Sequence, residues 1–237
     1  MEVDRLFNLQ GYHAVYHSLW VYKCCCCYGK LFLYFKDVSL VNGLCRCPEL
    51  YGVRPRFTFI FILLILTFYI YQFISDTWIS LAFFPAFAFY EPWTFITSIF
   101  LHAGFLHLFF NLFALFFFGI YLERIIGNKA FAILFIVSGI VGNIGYLVTS
   151  SNSYIPAIGA SGAIYGVIGT LAVIAPSLLI YIYGFIPVPM ALAAVIWALM
   201  DVAGLFMPTG IAHGAHLGGM VVGLLYGAYL RLKFKHG

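Results

Sequence analysis

Charged residues are scarce in this chain. Of its 237 residues, 8% are Asp, Glu, Lys or Arg, whereas 64% are hydrophobic and the mean hydropathy is +1.01. Soluble domains carry about 25% charged residues, so this composition excludes an ordinary water-soluble globular protein. Lipid accepts such apolar surface, and helices that span it satisfy their own backbone hydrogen bonds. The composition therefore predicts an all-α polytopic membrane protein.

Lys and Arg are absent from two long stretches, residues 57–123 and 130–230. The 12 basic residues lie instead in three groups: Arg5 to Arg56, Arg124 with Lys129, and Arg231 to Lys235. Cytoplasmic loops of membrane proteins are enriched in Lys and Arg. The three groups therefore predict that both termini are cytoplasmic, which requires an even number of crossings.

Apolar runs of about 17 to 25 residues, the length that crosses a bilayer, predict six spans. They are residues 57–75, 99–122, 130–149, 161–175, 188–205 and 213–230, and the short fourth one is the central helix. Residues 76–92 contain Pro85 and Pro92 and are expected to form an interfacial loop on the outer side. Residues 177–189 are expected to form a membrane-hugging inner loop that leads into the fifth span. Residues 57–237 are thus predicted to be one six-helix domain.

No cysteine occurs after Cys47, and all six fall in residues 1–56, a separate basic amino-terminal region. Cys24 and Cys27 have CxxC spacing, and Cys45 with Cys47 could complete a four-thiolate zinc site. The spacing is irregular, however, and the surroundings are basic. These features favour a basic tail that lies against anionic lipid on the cytoplasmic side. We therefore expect no cofactor and no metal, and nothing in the composition indicates a nucleic-acid partner.

A few polar residues interrupt the predicted spans, where each is costly. Singly, each is explained as an interhelical hydrogen-bond donor or acceptor. At a rise of 1.5 Å per residue, Ser161 and His216 lie about 22 Å above the inner boundary, and His107 and Asn111 about 24 and 18 Å. A shared depth favours one site over scattered structural contacts. The full set is His102, His107, Asn111, Ser161, Asp201, His213 and His216.

Glycines recur every four residues beside the serine and the histidine. The sixth span has Gly219, Gly223 and Gly227, and the fourth has Gly162 and Gly166. Such stripes let two membrane helices approach backbone to backbone. A Ser161 to His216 hydrogen bond needs this closeness, because a nucleophile and its base must come within about 2.6–3.2 Å. The pattern therefore predicts Ser161 as a nucleophile and His216 as its general base.

The second span offers hydrogen-bond donors for the same layer. His107 and Asn111 are four residues apart, so they share one helix face. Together with the backbone N–H of Ser161 they could stabilise an oxyanion that forms when the serine attacks a carbonyl. His102 lies on a different face, and we expect it to have a structural role.

Two alternatives concern the remaining polar residues. His213 competes with His216 for the role of base but lies one turn nearer the outer surface. A four-histidine metal site built from His102, His107, His213 and His216 would lack both a carboxylate and an HExxH motif. Asp201 is expected near the outer end of the fifth span, facing a loop or a neighbouring helix. Its spacing does not support a role as a third catalytic residue.

Taken together, the motifs resemble those of the rhomboid intramembrane serine proteases, over about Arg56 to Lys235. The stretch from His102 to Asn111 resembles the family's HxxxxHxxxN. The stretch from Gly159 to Gly162 resembles its GxSG motif. Ala215 to Gly219, followed by Gly223, resembles its AHxxGxxxG motif.

The resemblance implies a six-helix fold and a Ser161–His216 dyad without an acid. It also implies an oxyanion hole made by His107, Asn111 and the Ser161 N–H. The implied substrate is a single-span membrane protein, cut in or near its transmembrane segment. The six-span form fits the plasma membrane of a prokaryote. A catalytically inactive, derlin-type relative that binds clients is the main alternative, and such proteins usually lack the serine or the histidine. A transporter is a further alternative, although the spans contain almost no acidic or basic residues.

Overall fold

The structure, a computed structural model, describes residues 53–182, 184–207 and 209–235. Within these residues the chain forms an all-α bundle of six helices of 14 residues or more, as predicted. They are α1 (Phe57–Ile74), α2 (Phe105–Ile126), α3 (Asn128–Thr149), α4 (Ser161–Ile174), α5 (Met190–Gly204) and α6 (His213–Lys235). All six cysteines, and with them the question of a zinc module, lie outside the described residues.

Helices α1, α2 and α3 are long and apolar enough to cross a membrane, whereas α4 and α5 are shorter apolar helices. The central helix α4 is buried along nine of its 14 residues. A helix enclosed by protein meets lipid over little of its length, so it need not match the bilayer thickness. This is why the serine-bearing helix can be short.

The predicted start of α2 is wrong by six residues, whereas α3 and α5 each begin within two residues of their predicted starts. Helix α2 begins at Phe105 and not at residue 99, because residues 98–100 form a single 3₁₀ turn and residues 101–104 are irregular. The side chain of Gln72 on α1 accepts a hydrogen bond from the backbone N–H of His102 at 2.9 Å and donates one to its carbonyl oxygen at 3.1 Å. This pairing satisfies the backbone groups of His102 outside a helix.

The predicted inner loop, residues 177–189, contains two short paired strands. Strand β1 (Leu179–Ile182) pairs with β2 (Ile186–Pro189) in antiparallel register. Pro187 and Pro189 cannot donate backbone hydrogen bonds, which an edge strand tolerates. They also delay the start of α5 from the predicted residue 188 to Met190, whose N–H donates to the Leu178 carbonyl at 2.8 Å.

Residues 76–97 form short helical turns and irregular chain at one end of the bundle, in keeping with the predicted loop. This segment packs against the chain that precedes α4. Phe83 and Ala157 exchange backbone hydrogen bonds of 3.3 and 2.9 Å. On α3, the buried Asn143 amide donates to the Phe95 carbonyl and to Ser98 Oγ, both at 2.9 Å. These contacts fix the entry to the serine-bearing helix.

At the opposite end, Glu123 on α2 caps the start of α1. Its fully buried carboxylate accepts from the backbone N–H groups of Arg56, Phe57 and Thr58 at 2.8–2.9 Å, and from the Thr58 hydroxyl at 2.7 Å. An acidic side chain at a helix N-terminus satisfies free N–H groups and complements the helix dipole. The contact therefore joins the last turn of α2 to the first turn of α1.

The glycine stripes bring α4 and α6 into backbone contact, which confirms the predicted close approach. A methyl group added at Gly219 would collide with the Gly162 carbonyl, and one at Gly223 with the Gly166 carbonyl. The buried Thr170 hydroxyl also lies 3.1 Å from the carbonyl oxygen of Gly223, across the same contact. Only glycine permits such proximity, so α4 and α6 pack backbone to backbone at the centre of the bundle.

Candidate active site

Three helices start at one end of the bundle and place the predicted polar residues together. Ser161 is the first residue of α4, His216 is the fourth residue of α6, and His107 is the third residue of α2. Because consecutive spans alternate in direction, α2, α4 and α6 begin on the same side. Ser161, His216 and His107 thus lie in the first turns of three helices that run in the same direction, and Asn111 lies in the next turn of α2.

Ser161 and His216 lie within hydrogen-bond distance. His216 Nε2 is 2.9 Å from Ser161 Oγ, and both residues are partly buried. For Nε2 to accept the hydroxyl proton, the neutral imidazole must carry its own hydrogen on Nδ1. This is the arrangement in which an imidazole can withdraw a proton from a serine hydroxyl. His213 makes no contact with Ser161; its Nε2 lies 2.6 Å from Thr209 Oγ1.

Tyr165 holds the imidazole of His216 from one side. Its ring stacks on that of His216 with a centroid distance of 4.3 Å and an interplanar angle of 11°. Tyr165 follows Ser161 by four residues, so both face α6. Stacking restricts rotation of the imidazole and keeps Nε2 directed at the serine. This tyrosine was not among the residues predicted from the sequence, although its i+4 spacing from Ser161 was a signal for it.

His107 lies against the turn that carries the serine. A methyl group added at Gly159 would come within 2.6 Å of His107 Cε1 and 2.8 Å of Nε2, and Gly159 has φ of +129°, which disfavours any other residue. The N–H of Ala103 points at His107 Nδ1 over 3.4 Å. With Nδ1 as the acceptor, the hydrogen of the neutral ring lies on Nε2, the nitrogen that faces the Gly159 turn.

Asn111 lies one turn further along α2 and is buried, with 5% of its surface exposed. Its Nδ2 donates to the His107 carbonyl at 2.8 Å, which leaves the second hydrogen of the amide free. Its Oδ1 has no hydrogen-bond partner among the described residues. A buried amide with unused capacity is unusual in a structural role, since buried polar groups are normally paired.

His102 lies just before α2 beside His107, and the structural role predicted for it stays a prediction. Its backbone is held by Gln72, as described above, and its ring lies 5.0 Å from that of His107. The four histidines therefore form two pairs, His102 with His107 and His213 with His216, rather than one four-ligand cluster.

Asp201 on α5 contacts both histidines of α6. Its Oδ1 lies 2.6 Å from His213 Nδ1 and 2.9 Å from His216 Nδ1. Among the described residues, these three side chains are the one set whose potential ligand atoms lie close enough together to hold a metal ion. Ligands on a tetrahedral zinc ion lie about 3.3 Å apart, as bonds of about 2.0 Å require. The observed distances are those of hydrogen bonds, so a cation would have to break both contacts to bind.

Asp201 does face a neighbouring helix, as expected, but its contact with His216 was not foreseen from spacing. The residues are 15 positions apart on different helices, and no periodicity relates them. The available signal was the energetic cost of a carboxylate in an apolar helix, which calls for a partner.

Comparison with known proteins agrees with these motifs. The model of the Rhomboid domain matches residues 90–233, which include Ser161, His216, His107, Asn111 and Asp201. The putative rhomboid protease YdcA of Bacillus subtilis is 49% identical over 79 residues, which make up 33% of this chain and 39% of that protein.

Two eukaryotic relatives match as well. Rhomboid protein 1, mitochondrial, of Saccharomyces cerevisiae is 36% identical over 145 residues, 57% of this chain and 41% of that protein. Inactive RHOMBOID-like protein 8 of Arabidopsis thaliana is 39% identical over 82 residues, 35% of this chain and 23% of that protein. The chain thus spans less than half of the length of each of these relatives. Because the domain model covers more than half of the sequence, the chain belongs to the rhomboid family and is an integral membrane protein.

Proposed function

We propose that the protein is an intramembrane serine endopeptidase in which Ser161 is the nucleophile and His216 the general base. The observation that carries the proposal is the 2.9 Å contact between Ser161 Oγ and His216 Nε2 at the start of α4. A serine and a histidine at membrane depth are costly, and their pairing in this geometry is what acyl transfer requires.

In the first step, Ser161 Oγ attacks the carbonyl carbon of the scissile peptide bond while its proton passes to His216 Nε2. The carbonyl oxygen becomes an oxyanion. His216 then gives the proton to the leaving nitrogen, the C–N bond breaks, and an acyl-enzyme remains on Ser161. A water molecule, deprotonated by His216, attacks the ester, and return of the proton to Ser161 Oγ releases the new carboxyl terminus.

The oxyanion is expected to lie between α2 and the first turn of α4. The N–H groups of Ser161 and Gly162 have no partner within a helix that starts at Ser161. His107 Nε2–H faces the same turn, and the free hydrogen of Asn111 is available from α2. Such donors stabilise the developing charge because they are fixed before the reaction begins.

The proposed substrate is a single-span membrane protein, cleaved in or near its transmembrane segment. Helical peptide bonds are occupied in backbone hydrogen bonds, so the segment must unwind locally before Ser161 can reach a carbonyl. The test is purified protein reconstituted in liposomes with a single-span reporter, and mass spectrometry of the fragments. A cut in or beside the apolar segment is expected. Intact reporter, with enzyme shown to be folded, would contradict the proposal.

A client-binding protein without activity is the second candidate, because one relative at 39% identity is named inactive. That candidate predicts capture of the single-span reporter without cleavage. The presence of both Ser161 and His216 in hydrogen-bond contact favours the protease.

Replacement of Asn111 by alanine is expected to lower kcat by about 10²-fold, the effect of one oxyanion donor. KM should change little, because the oxyanion exists only after attack. The measurement is the cleavage rate in liposomes at several reporter concentrations. Asn152→Ala, a change in the exposed loop before α4, is the matched control and should retain wild-type rates. Unchanged kcat in Asn111→Ala would remove this residue from the oxyanion hole.

The proposed orientation places both termini on the cytoplasmic side, following the three basic groups. The six cysteines of residues 1–56 allow a direct test with a membrane-impermeant maleimide. Labelling is expected only after cells are lysed, and labelling of intact cells would reverse the orientation. The predicted prokaryotic plasma membrane stays a prediction, since relatives come from a bacterium, a plant and a yeast.

A further inference from the structure

Four exposed basic side chains lie at the end of the bundle where α1 begins. They are Arg54 and Arg56 just before α1, Arg124 on the last turn of α2, and Lys129 on the first turn of α3. We call these four residues the basic junction. The segments that carry them are linked by Glu123, whose carboxylate accepts from the backbone N–H of Arg56 at 2.9 Å.

Packing beneath the basic junction holds α1, α2 and α3 together. The ring of Phe61 on α1 stacks on that of Phe135 on α3, with a centroid distance of 4.4 Å and an interplanar angle of 17°. A methyl group added at Gly119 on α2 would lie 3.1 Å from Thr58 Oγ1 and 3.2 Å from Phe131 Cζ. The helix ends that carry the four cations therefore meet at one place and form one surface.

The cations of the basic junction take part in none of the ion pairs among the described residues, which are both formed by Asp201 with histidines. Glu123 is their neighbour in sequence, but its carboxylate is fully buried and is occupied by backbone N–H groups and the Thr58 hydroxyl. A group of like charges raises the local concentration of ions of the opposite sign. The basic junction is therefore suited to an anion from outside the described chain.

Apolar side chains that face outward lie next to these cations. Helices α1, α2 and α3 are long and apolar enough to cross a membrane, so their ends lie where the acyl chains meet the headgroups. Within the first two turns of their helices, Phe59 and Ile60 on α1 and Ile133 on α3 are 49%, 44% and 55% exposed. A phospholipid bound here would contact these side chains with its acyl chains, whereas a soluble anion would contact the cations alone.

We propose that the basic junction binds the headgroup phosphate of an anionic phospholipid, with the acyl chains against α1 and α3. The guanidinium groups present paired N–H donors to the phosphate oxygens, and Lys129 adds a point charge. Basic pockets between membrane helices bind anionic headgroups in this way. A zwitterionic lipid is disfavoured, because its own cationic group is repelled by the four side chains. This binding requires no protease activity.

The test uses the full-length protein in nonionic detergent, titrated with dioleoylphosphatidylglycerol, with the bound lipid counted by native mass spectrometry. The site variant is Arg124→Gln with Lys129→Gln. The matched control is Arg231→Gln with Lys233→Gln, which removes one exposed arginine and one exposed lysine from the end of α6. The basic residues of 1–52 are the same in all three proteins, so their attraction for lipid cancels in the comparison.

We expect the site variant to bind phosphatidylglycerol at least about tenfold more weakly than wild type, since each cation near a membrane surface changes the affinity by about fivefold. The control should stay within about threefold of wild type, because its two residues lie outside the basic junction. Without added lipid, both variants should unfold at the wild-type temperature. The single variants Arg124→Gln and Lys129→Gln, each expected to bind about fivefold more weakly, test the site independently of any effect of the double change on folding.

Equal weakening in the site variant and the control would show a general attraction by positive charge and would overturn the proposal. Unchanged binding in the site variant, or equal binding of phosphatidylcholine and phosphatidylglycerol by wild type, would overturn it as well. Inorganic phosphate at the same concentration as the lipid should not displace it. Displacement would assign the basic junction to a soluble anion instead of a lipid.

Discussion

Ser161→Ala is expected to abolish cleavage of a single-span reporter and to remove fluorophosphonate labelling completely. Without Oγ there is no atom at the start of α4 to form the acyl-enzyme, and a methyl group at this position leaves the rest of the site in place. Loss of a catalytic nucleophile removes roughly 10⁴-fold or more of the rate. Cleavage in proteoliposomes measures the first effect and in-gel detection of the bound probe measures the second.

The matched control for this serine is Ser153→Ala. Ser153 is exposed in the loop before α4 and has the same side chain without a histidine in contact. The Ser153→Ala variant should react with the fluorophosphonate and cleave the reporter as wild type does. Appreciable cleavage by Ser161→Ala would contradict the serine mechanism, whatever the behaviour of the control.

His216→Ala is expected to lower the cleavage rate by a similar factor, again roughly 10⁴-fold. The serine and the histidine act as one catalytic unit, so removal of either one removes the function of both. Among the residues that the structure describes, the imidazole is the one base within 2.9 Å of Ser161 Oγ, and the stacked Tyr165 ring cannot take over its role. The double variant Ser161→Ala with His216→Ala should therefore be no worse than either single variant. Additive losses would show that the two residues act independently.

His213→Ala is the comparison that separates the two histidines. His213 lies three residues from His216 and shares Asp201, but its Nε2 faces Thr209 instead of Ser161. We expect a loss of at most about tenfold, because the contact between His216 and Ser161 is left in place. Retained folding in each variant is checked by thermal unfolding in detergent. A loss in His213→Ala as large as that in His216→Ala would contradict the assignment of His216 as base.

Several features of the fold follow from local sequence. The scarcity of charge indicates a membrane protein, and the apolar runs give all six helices to within a few residues at most ends. Periodic glycines predict the α4–α6 contact, because small residues at every fourth position form a continuous face on a helix. The helix start at Phe105 was missed because it depends on Gln72 binding the His102 backbone. This is a contact between distant parts of the chain.

The candidate site was likewise predicted in part from the sequence, and the rest of it depends on tertiary contacts. By itself the sequence determined the membrane class, the order of the helices, and the layer shared by Ser161, His216, His107 and Asn111, because helical rise converts position into depth. The sequence also favoured His216 over His213 as the partner of the serine, whereas only the tertiary structure decided that Asp201 and Tyr165 contact His216. Those contacts depend on how α4, α5 and α6 are rotated and spaced, and a hydrogen bond fails within a fraction of an ångström. One-dimensional spacing gives the height of a residue in the membrane, whereas packing alone gives the direction in which it points.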